Sequence, residues 1–242
     1  MPVIDLKAFL SQLGVDGGYD IFVHSGYRAF REEGFSPDQV LDTFLDLQAE
    51  KATMLPAFNW RAVSAQNPFN VRTTPSIVGA LTETFRQRPG IARTLYPTHS
   101  CVMAERFMPV YGDRHIQAFS PCDRLSPFAA FADHKVRIVL VNCTIDTMTY
   151  IHHFEELISP EHYLADSAED IEIIDKNGTH QNFTLRRHRK LPRQFSKFSD
   201  ALAACPSFLH HKAGGVSGWS ISADDAAFVI SKKFAENIYA ST

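Results

Sequence analysis

The segment DTMTYIHHFEELI, residues 146–158, carries two adjacent histidines and two adjacent glutamates on one predicted helix. When the helix is projected at about 100° per residue, its apolar side chains form one core-facing stripe: Met148, Ile151, Phe154 and Ile158. Glu155 falls inside this stripe, and His152 lies on its flank. We expect His153 and Glu156 to be solvated, with Glu156 at most bracing His152 from the next turn.

An ionised carboxylate that faces a protein core is costly unless a partner neutralises it or donates hydrogen bonds to it. His152 lies three residues before Glu155, so we expect the two side chains to be hydrogen-bonded. A carboxylate on one imidazole nitrogen fixes the tautomer and leaves the other nitrogen as a proton acceptor, which suits a general base. From the spacing alone, a purely structural pair at a packed boundary is the favoured alternative.

Other kinds of chemistry have weaker support in the sequence. There is no HExxH motif, and a single His-x-x-Glu supplies two ligands, so we predict no metal site. The cysteines are dispersed and contain no CxxC pair, which indicates reduced core thiols: Cys101, Cys122, Cys143 and Cys205. The chain also lacks a GxSxG nucleophile elbow, so a serine or cysteine hydrolase is disfavoured.

Composition narrows the class of protein. The net charge of −3 and the absence of a strongly basic face argue against a nucleic-acid partner. No apolar run reaches the ~18 residues of a membrane span, and the N-terminus has no basic-then-apolar leader, so we expect no membrane partner and a cytoplasmic location. With 242 residues, of which 45% are hydrophobic, the simplest organisation is a single domain over residues 1–242.

Strand and helix patterns alternate through the first 160 residues. YDIFVHSG, ATMLPAF and VRIVLV read as buried strands, with Pro56 at an edge, a bulge or a strand end. Helices are predicted from Ser36-Pro37 and from Thr74-Pro75, each a capping residue followed by proline. Asn177-Gly178 predicts a β-hairpin after residue 165. The fold class is therefore α/β, layered α/β/α around a central mixed sheet, with an added hairpin. The basic run RRHRK, residues 186–190, is predicted to be a solvated strand end, with contact to an anionic ligand as the alternative.

Five segments occur in the order seen in one enzyme family: FVHSG (22–26), MLPAFNW (54–60), NPFNVRTTPSIVGALTETFRQRPGIARTLYPTHS (67–100), LSPFAAF (125–131) and DTMTYIHHFEE (146–156). Over residues 20–159 the chain resembles the aminoglycoside 3-N-acetyltransferase family. The resemblance implies an antibiotic N-acetyltransferase-like fold and acetyl-CoA as co-substrate. It also implies a small-molecule amine acceptor, while a homodimer is left open.

The family's Thr-x-x-His-x-x-Glu segment matches Thr149, His152 and Glu155. The resemblance therefore implies that His152 is the general base, that Glu155 supports it, and that the amine attacks the thioester directly without an acyl-enzyme. Oxyanion donors would come from backbone N–H groups near His24 and Ser25. The hydroxyls of Ser100 and Ser126 are further candidates.

Cofactor-binding residues follow from the same match. A helix beginning at Thr74-Pro75-Ser76 would offer free N–H groups to the phosphates of CoA, Gly79 would allow close approach, and Arg93 would add a cation. Simple capping by Ser76 and helix packing at Gly79 are the alternatives. The predicted cofactor side comprises His24, Ser25, Gly26, Thr74, Ser76, Gly79, Arg93, Ser100 and Ser126; the predicted acceptor side comprises Asn59, Asp146 and Thr149.

The chain departs from the family where the acceptor would bind. Aminoglycoside-modifying members carry a longer tryptophan-bearing insertion, where this chain has only the short bridge NWRAVSAQNP. Aminoglycosides are polycations that call for an acidic cleft, and this chain is only mildly acidic. We therefore favour a less cationic aminosugar, such as a nucleotide-linked one made for a surface polysaccharide. Aminoglycoside resistance and a non-catalytic CoA-binding module are the alternatives.

Overall fold

The computed structural model describes residues 4–242 and contains a central seven-stranded mixed sheet with the order β4-β5-β2-β1-β6-β10-β9. The three inner strands β2, β1 and β6 are parallel, and the outer ones pair antiparallel. The strands are β1 Asp20–Ser25, β2 Thr53–Pro56, β3 Phe69–Asn70, β4 Ile91–Arg93, β5 Cys101–Ala104, β6 Val136–Val141, β7 Glu169–Ile174, β8 His180–Leu185, β9 Leu209–Ala213 and β10 Val216–Ser222.

The α-helices flank this sheet, and short 3₁₀ turns join several of the elements. The helices are α1 Leu6–Ser11, α2 Tyr27–Glu32, α3 Pro37–Leu47, α4 Ala80–Arg86, α5 Met108–Tyr111, α6 Tyr150–Ile158, α7 Pro160–Tyr163, α8 Ser199–Ala203 and α9 Ala223–Glu236. None of the helices in the described residues has the length and apolar character needed to cross a lipid bilayer.

Successive residues of the central strands face two different cores, because side chains alternate along a strand. Ile21 and Val23 of β1 pack with α1, α3 and α4 on one face of the sheet. Phe22, between them, packs with α6, α8 and α9 on the other face. β6 is buried along its whole length, as its apolar run predicts for a strand that is covered on both sides. The predicted α/β/α layering with a central mixed sheet is confirmed.

Two local predictions are confirmed at their boundaries. Ser36 caps α3, accepting from the Gln39 N–H while the Gln39 side chain accepts from the Ser36 N–H, with Pro37 at the first helical position. β2 ends at Pro56 inside the sheet rather than at its edge.

The hairpin after residue 165 forms as predicted, and it contributes to a second sheet. β7 and β8 pair antiparallel around a loop in which Gly178 has φ +81°, a conformation that favours glycine. β3 adds a parallel partner to β7, giving a three-stranded sheet in the order β3-β7-β8. The sequence did not indicate this third strand, because Phe69–Asn70 is only two residues long.

The helix predicted from Thr74-Pro75 begins later than expected. α4 starts at Ala80 after Gly79, whose φ of +140° is accessible essentially to glycine alone. Residues before it are fixed by tertiary contacts: the Ile77 N–H donates to the Phe58 carbonyl at 2.9 Å, and the Ser76 N–H donates to the Glu83 carboxylate at 2.8 Å. The predicted start was wrong because these contacts replace the first helical turn.

Candidate active site

A cavity of about 480 Å³ opens at the carboxyl ends of the three parallel strands. His24 and Ser25 end β1, Pro56 ends β2, and Cys143 follows β6, so one edge of the sheet forms its floor. Ligands of α/β proteins commonly bind at this edge, since loops leaving parallel strands converge there. α6 brings His152 to the same cavity.

His152 and Glu155 form the predicted pair. Nδ1 of His152 lies 2.6 Å from Oε2 of Glu155, one turn along α6. Glu155 is fully buried, whereas His152 lines the cavity. With Nδ1 donating to the carboxylate, Nε2 of the imidazole is the nitrogen left to accept a proton.

The Glu155 carboxylate has two further partners that come from distant parts of the chain. Nε of Arg193 donates to both of its oxygens at 3.0 Å, and the Ser241 hydroxyl donates to Oε1. Burial by itself raises the pKa of Glu155, but His152, Arg193 and Ser241 together hold that pKa below its usual value. Glu155 is therefore an ionised acceptor that fixes the tautomer of His152.

The predicted solvation of His153 and Glu156 was wrong. Nδ1 of His153 is 2.6 Å from the Cys122 carbonyl, and the side chains of His153 and Glu156 are both buried. Glu156 accepts from the Ser120 hydroxyl at 2.5 Å and lies 2.5 Å from Nε2 of His188, so it does not brace His152. Ile158, predicted to face the core, is instead 39% exposed at the end of α6. His153 and Glu156 are buried because the loop around residues 119–123 covers the side of α6 that the helical projection assigned to solvent.

Four predicted residues line the cavity together with His152: His24, Ser25, Asp146 and Thr149. Burial, with a smaller effect of His152, lowers the pKa of His24 to about 3, so its imidazole is neutral. Nε2 of His24 has no hydrogen-bond partner within the described residues. Gly26, directly after β1, packs so tightly that an added Cβ would lie 2.4 Å from the Asn142 carbonyl oxygen. Glycine is thus required there by the fold of the cavity floor.

Several predicted cofactor residues do not line the cavity. Arg93 is buried, and its guanidinium donates to Ser100 Oγ at 2.7 Å, to the Thr74 carbonyl at 2.5 Å and to the Ala57 carbonyl. The Ser100 hydroxyl also donates to the Ala57 carbonyl, at 2.9 Å. These hydrogen bonds hold the strand ends together. Arg93 therefore has a structural role in place of the predicted contact to an anion.

The remaining predicted residues likewise form hydrogen bonds within the protein. The Thr74 hydroxyl accepts from the Asn70 N–H at 2.9 Å, and the Ser76 N–H is taken by Glu83, so neither offers the helix start that was predicted for phosphates. The Asn59 amide donates to the Pro75 carbonyl, while the Ser126 hydroxyl donates to the Asp123 carbonyl at 2.6 Å. Gly79 makes the positive-φ turn before α4.

The basic segment contributes four residues to the site that were not among the predicted site residues. Arg187, His188, Arg189 and Lys190 all line the cavity, so the prediction of a solvated strand end was wrong. Backbone hydrogen bonds fix the segment: the Ala165 N–H donates to the Arg187 carbonyl and the Arg189 N–H to the Tyr163 carbonyl. The composition RRHRK was the available signal, but nothing in the sequence tells that it folds back over α6.

Two further rings line the cavity, His99 and Trp60; both lie in segments that carry the family resemblance, but neither was among the predicted site residues. His99 stacks on Trp60 with ring centroids 5.9 Å apart, and both line the cavity. Burial lowers the pKa of His99 well below its usual value, which keeps this imidazole neutral. His188 lies between His99 and His152, with centroid distances of 5.1 Å and 4.5 Å.

Beside the cavity, the Cys122 thiol lies within 4.8 Å of the Glu156–His188 pair. Burial raises the pKa of this thiol well above its usual value, so Cys122 remains protonated. The carboxylate and the imidazole already bond to each other at 2.5 Å. We therefore interpret this group as an internal hydrogen-bonded cluster.

Known proteins resemble the chain in sequence family and in overall fold. The family model described as aminoglycoside 3-N-acetyltransferase matches residues 22–235. Aminoglycoside acetyltransferase AAC(3)-IVa, solved in complex with a gentamicin, has a TM-score of 0.81 at 17% identity, over 96% of this chain and 88% of that one. The YokD protein from Bacillus subtilis has a TM-score of 0.79 at 18% identity, with coverages of 96% and 93%. AAC-IIIb, solved as a binary complex with CoASH, has a TM-score of 0.79 at 18% identity, covering 96% and 95%.

No curated protein sequence matches the chain significantly. These three structures are all below 25% identity, so by themselves they establish the fold. The family model establishes more, since it spans most of the 242 residues. The protein therefore belongs to the aminoglycoside 3-N-acetyltransferase family and is an acyltransferase that uses acetyl-CoA.

Proposed function

We propose that the protein transfers the acetyl group of acetyl-CoA to a primary amine of an aminosugar, with His152 as the general base. The observation that carries this proposal is the 2.6 Å contact of His152 with the buried, ionised Glu155 at the wall of the cavity. The arrangement leaves Nε2 of His152 as an acceptor toward the cavity. A positioned base of this kind contributes about 10² to 10⁴ to a rate.

The chemistry is a direct displacement. The amine nitrogen attacks the thioester carbonyl carbon, the carbonyl electron pair moves onto oxygen, and Nε2 of His152 takes the proton from the amine. When the tetrahedral intermediate collapses, the carbon–sulfur bond breaks and the thiolate of CoA leaves. The His152 imidazolium returns its proton to that sulfur, which yields CoA thiol and the acetamide. No nucleophile of the protein is needed, and the Cys143 thiol at the cavity is kept protonated by burial, which raises its pKa.

The charge of the cavity supports a weakly cationic or anionic acceptor. Its lining contains Arg187, Arg189, Lys190 and Arg193, and Asp146 is the sole carboxylate lining it within residues 4–242. Carboxylates outside the lining pair with three of these cations: Glu169 with Arg187, Asp166 with Arg189 and Glu155 with Arg193. Because the cations line the cavity and these three partners do not, a polycationic ligand would meet mainly positive groups there. The phosphates of CoA, or an acidic group on the acceptor, match it instead.

Aminoglycosides are the second candidate acceptors. The related AAC(3)-IVa has been solved with a gentamicin and with apramycin, and AAC-VIa with sisomicin. The family membership of this chain favours the same acceptor class. The two candidates are distinguished by measuring thiol release from acetyl-CoA with sisomicin, a polycation, and with UDP-glucosamine, which carries a diphosphate. Turnover of sisomicin alone would contradict the preference for a less cationic acceptor, whereas no thiol release across a wide amine panel would favour a non-catalytic CoA-binding module.

Two adjacent histidines allow a matched test of the base. Asparagine retains a donor near the Nδ1 position and lacks Nε2, so His152→Asn preserves the contact to Glu155 and removes the proton acceptor. His153→Asn preserves the donor to the Cys122 carbonyl. We expect His152→Asn to reduce kcat at least about 10²-fold with acetyl-CoA affinity retained, and His153→Asn to reduce it less than about threefold. Equal activity of the two variants would refute the assignment of the base.

A further inference from the structure

A second carboxylate–histidine pair lies beside the first. Nε2 of His188 is 2.5 Å from Oε1 of Glu156, and the ring of His188 packs against that of His152 with centroids 4.5 Å apart and an interplanar angle of 32°. Both imidazoles line the cavity. Two adjacent glutamates of α6 thus each hold one of two neighbouring imidazoles.

The surroundings of the two carboxylates differ. Glu155 has the guanidinium of Arg193 and the Ser241 hydroxyl, whereas Glu156 has the neutral donors Ser120 Oγ, at 2.5 Å, and the Cys122 N–H, at 2.9 Å. Within the described residues Glu156 makes no ion pair with lysine or arginine. Burial raises the pKa of Glu156 well above its usual value; the hydrogen bonds from Ser120 and Cys122 oppose this rise, and Asp123 and Glu155 add to it. Burial likewise lowers the pKa of His188, helped by His152, His99 and Arg193.

A protonated Glu156 donates to Nε2 of His188, which makes Nδ1 the protonated nitrogen of that ring. Nδ1 makes no hydrogen bond to the protein within residues 4–242 and is therefore the nitrogen available to a ligand. His152 presents the opposite kind of group: its Nδ1–H donates to the ionised Glu155 carboxylate, so its free nitrogen, Nε2, is an acceptor. The pKa values of the two carboxylates, Glu155 and Glu156, are shifted in opposite directions, and titratable groups with such opposite shifts mark acid and base roles in active sites.

We propose that His188 is a further catalytic residue, which donates the Nδ1–H hydrogen bond to the thioester oxygen as the amine attacks. Glu156 is its positioning residue and holds the donor tautomer. This inference rests on the proposed acetyl transfer. As the amine adds, the carbonyl electron pair moves onto the oxygen, and the Nδ1–H of His188 stabilises the negative charge that forms there. The amine proton goes to Nε2 of the adjacent His152. On collapse the pair returns to form the amide carbonyl, and no proton is lost from His188.

The tautomer of His188 is measurable without any substrate. A two-bond ¹⁵N–¹H correlation spectrum of uniformly ¹⁵N-labelled protein distinguishes protonated from bare imidazole nitrogens, and the cross-peaks missing in His188→Phe assign this ring. We expect a protonated Nδ1 and a bare Nε2. A protonated Nε2 with a bare Nδ1 would mean an ionised Glu156 and would overturn the proposal, whether or not the enzyme turns over any amine.

Kinetics tests the role itself. His188→Phe keeps a planar ring beside His152 but has no N–H, so with acetyl-CoA and UDP-glucosamine or sisomicin we expect kcat to fall about 10²- to 10³-fold, as for other oxyanion donors, with the KM for acetyl-CoA within about threefold. Glu156→Ala should lose the donor tautomer. Glu156→Gln, whose amide N–H also donates to Nε2, should restore it together with most of the lost kcat.

The outcomes separate the two proposals. A His188→Phe enzyme with kcat within about threefold of the wild type would overturn the donor role, even if His152→Asn is inactive. Failure of Glu156→Gln to exceed Glu156→Ala, with both variants folded by circular dichroism, would overturn it as well. If the wild-type protein acetylates no amine, the proposed function fails, while the tautomer measurement still decides the chemistry of His188.

Discussion

Glu155→Gln offers the sharpest test of how the tertiary structure prepares His152. The carboxylate is fully buried and accepts hydrogen bonds from three side chains: His152, Arg193 and Ser241. Glutamine has one acceptor oxygen, so its amide N–H₂ must face at least one of these donors. The substitution also leaves the partly buried Arg193 guanidinium without its counter-ion.

The magnitude follows from these contacts. A hydrogen bond to a charged group contributes about 1.5–3 kcal/mol, and removing one partner of a buried ion pair costs about 3–5 kcal/mol. We therefore expect the free energy of unfolding to fall by about 3 kcal/mol or more. Because the Nδ1–H of His152 loses its ionised acceptor, kcat should fall by about 10²-fold or more.

Urea unfolding measures the stability, and colorimetric detection of CoA thiol measures kcat. Glu172→Gln is the matched control, since Glu172 bonds His180 at 2.9 Å on the exposed hairpin, where such a pair contributes at most about 1 kcal/mol. If Glu155→Gln and Glu172→Gln have equal effects on unfolding and on kcat, the argument that burial and Arg193 prepare the base is refuted.

Two other predictions concern buried groups outside the cavity. Arg93→Met removes the hydrogen bonds to Ser100, Thr74 and Ala57 and should lower the free energy of unfolding by about 3 kcal/mol or more, with little change in acetyl-CoA affinity by calorimetry; weakened affinity with unchanged stability would restore the predicted anion contact. Burial lowers the pKa of His115 from 6.5 to about 3. Between these two pH values the unfolded chain binds a proton that the folded protein does not, so the free energy of unfolding falls as the pH drops. At pH 5 this one site lowers the free energy of unfolding by about 2 kcal/mol. His115→Gln should reduce the difference in urea stability between pH 7 and pH 5 by that amount; an unchanged difference would contradict it.

Much of the fold was predictable because it depends on local patterns. The uninterrupted apolar run of β6 requires burial on both faces, Ser36-Pro37 fixes the start of α3, and Asn177-Gly178 marks the turn of the hairpin. The start of α4 was not predictable in the same way. Thr74-Pro75-Ser76 has the composition of a helix start, but Phe58 and Glu83 take the N–H groups of Ile77 and Ser76, and tertiary contacts override local propensity.

At the candidate site, the sequence by itself determined the pairing of His152 with Glu155, because three-residue spacing on a helix makes the two side chains neighbours. It determined the family resemblance as well, through the order of its segments. The tertiary structure decided everything that depends on residues distant in the chain. Arg193 and Ser241 add to the effect of His152 in keeping Glu155 ionised, while the loop around Ser120 and Cys122 buries Glu156, which has no lysine or arginine partner within the described residues. Two adjacent glutamates of the same type thereby acquire opposite shifts in pKa, since desolvation and countercharge depend on neighbours in space, which helical spacing does not specify.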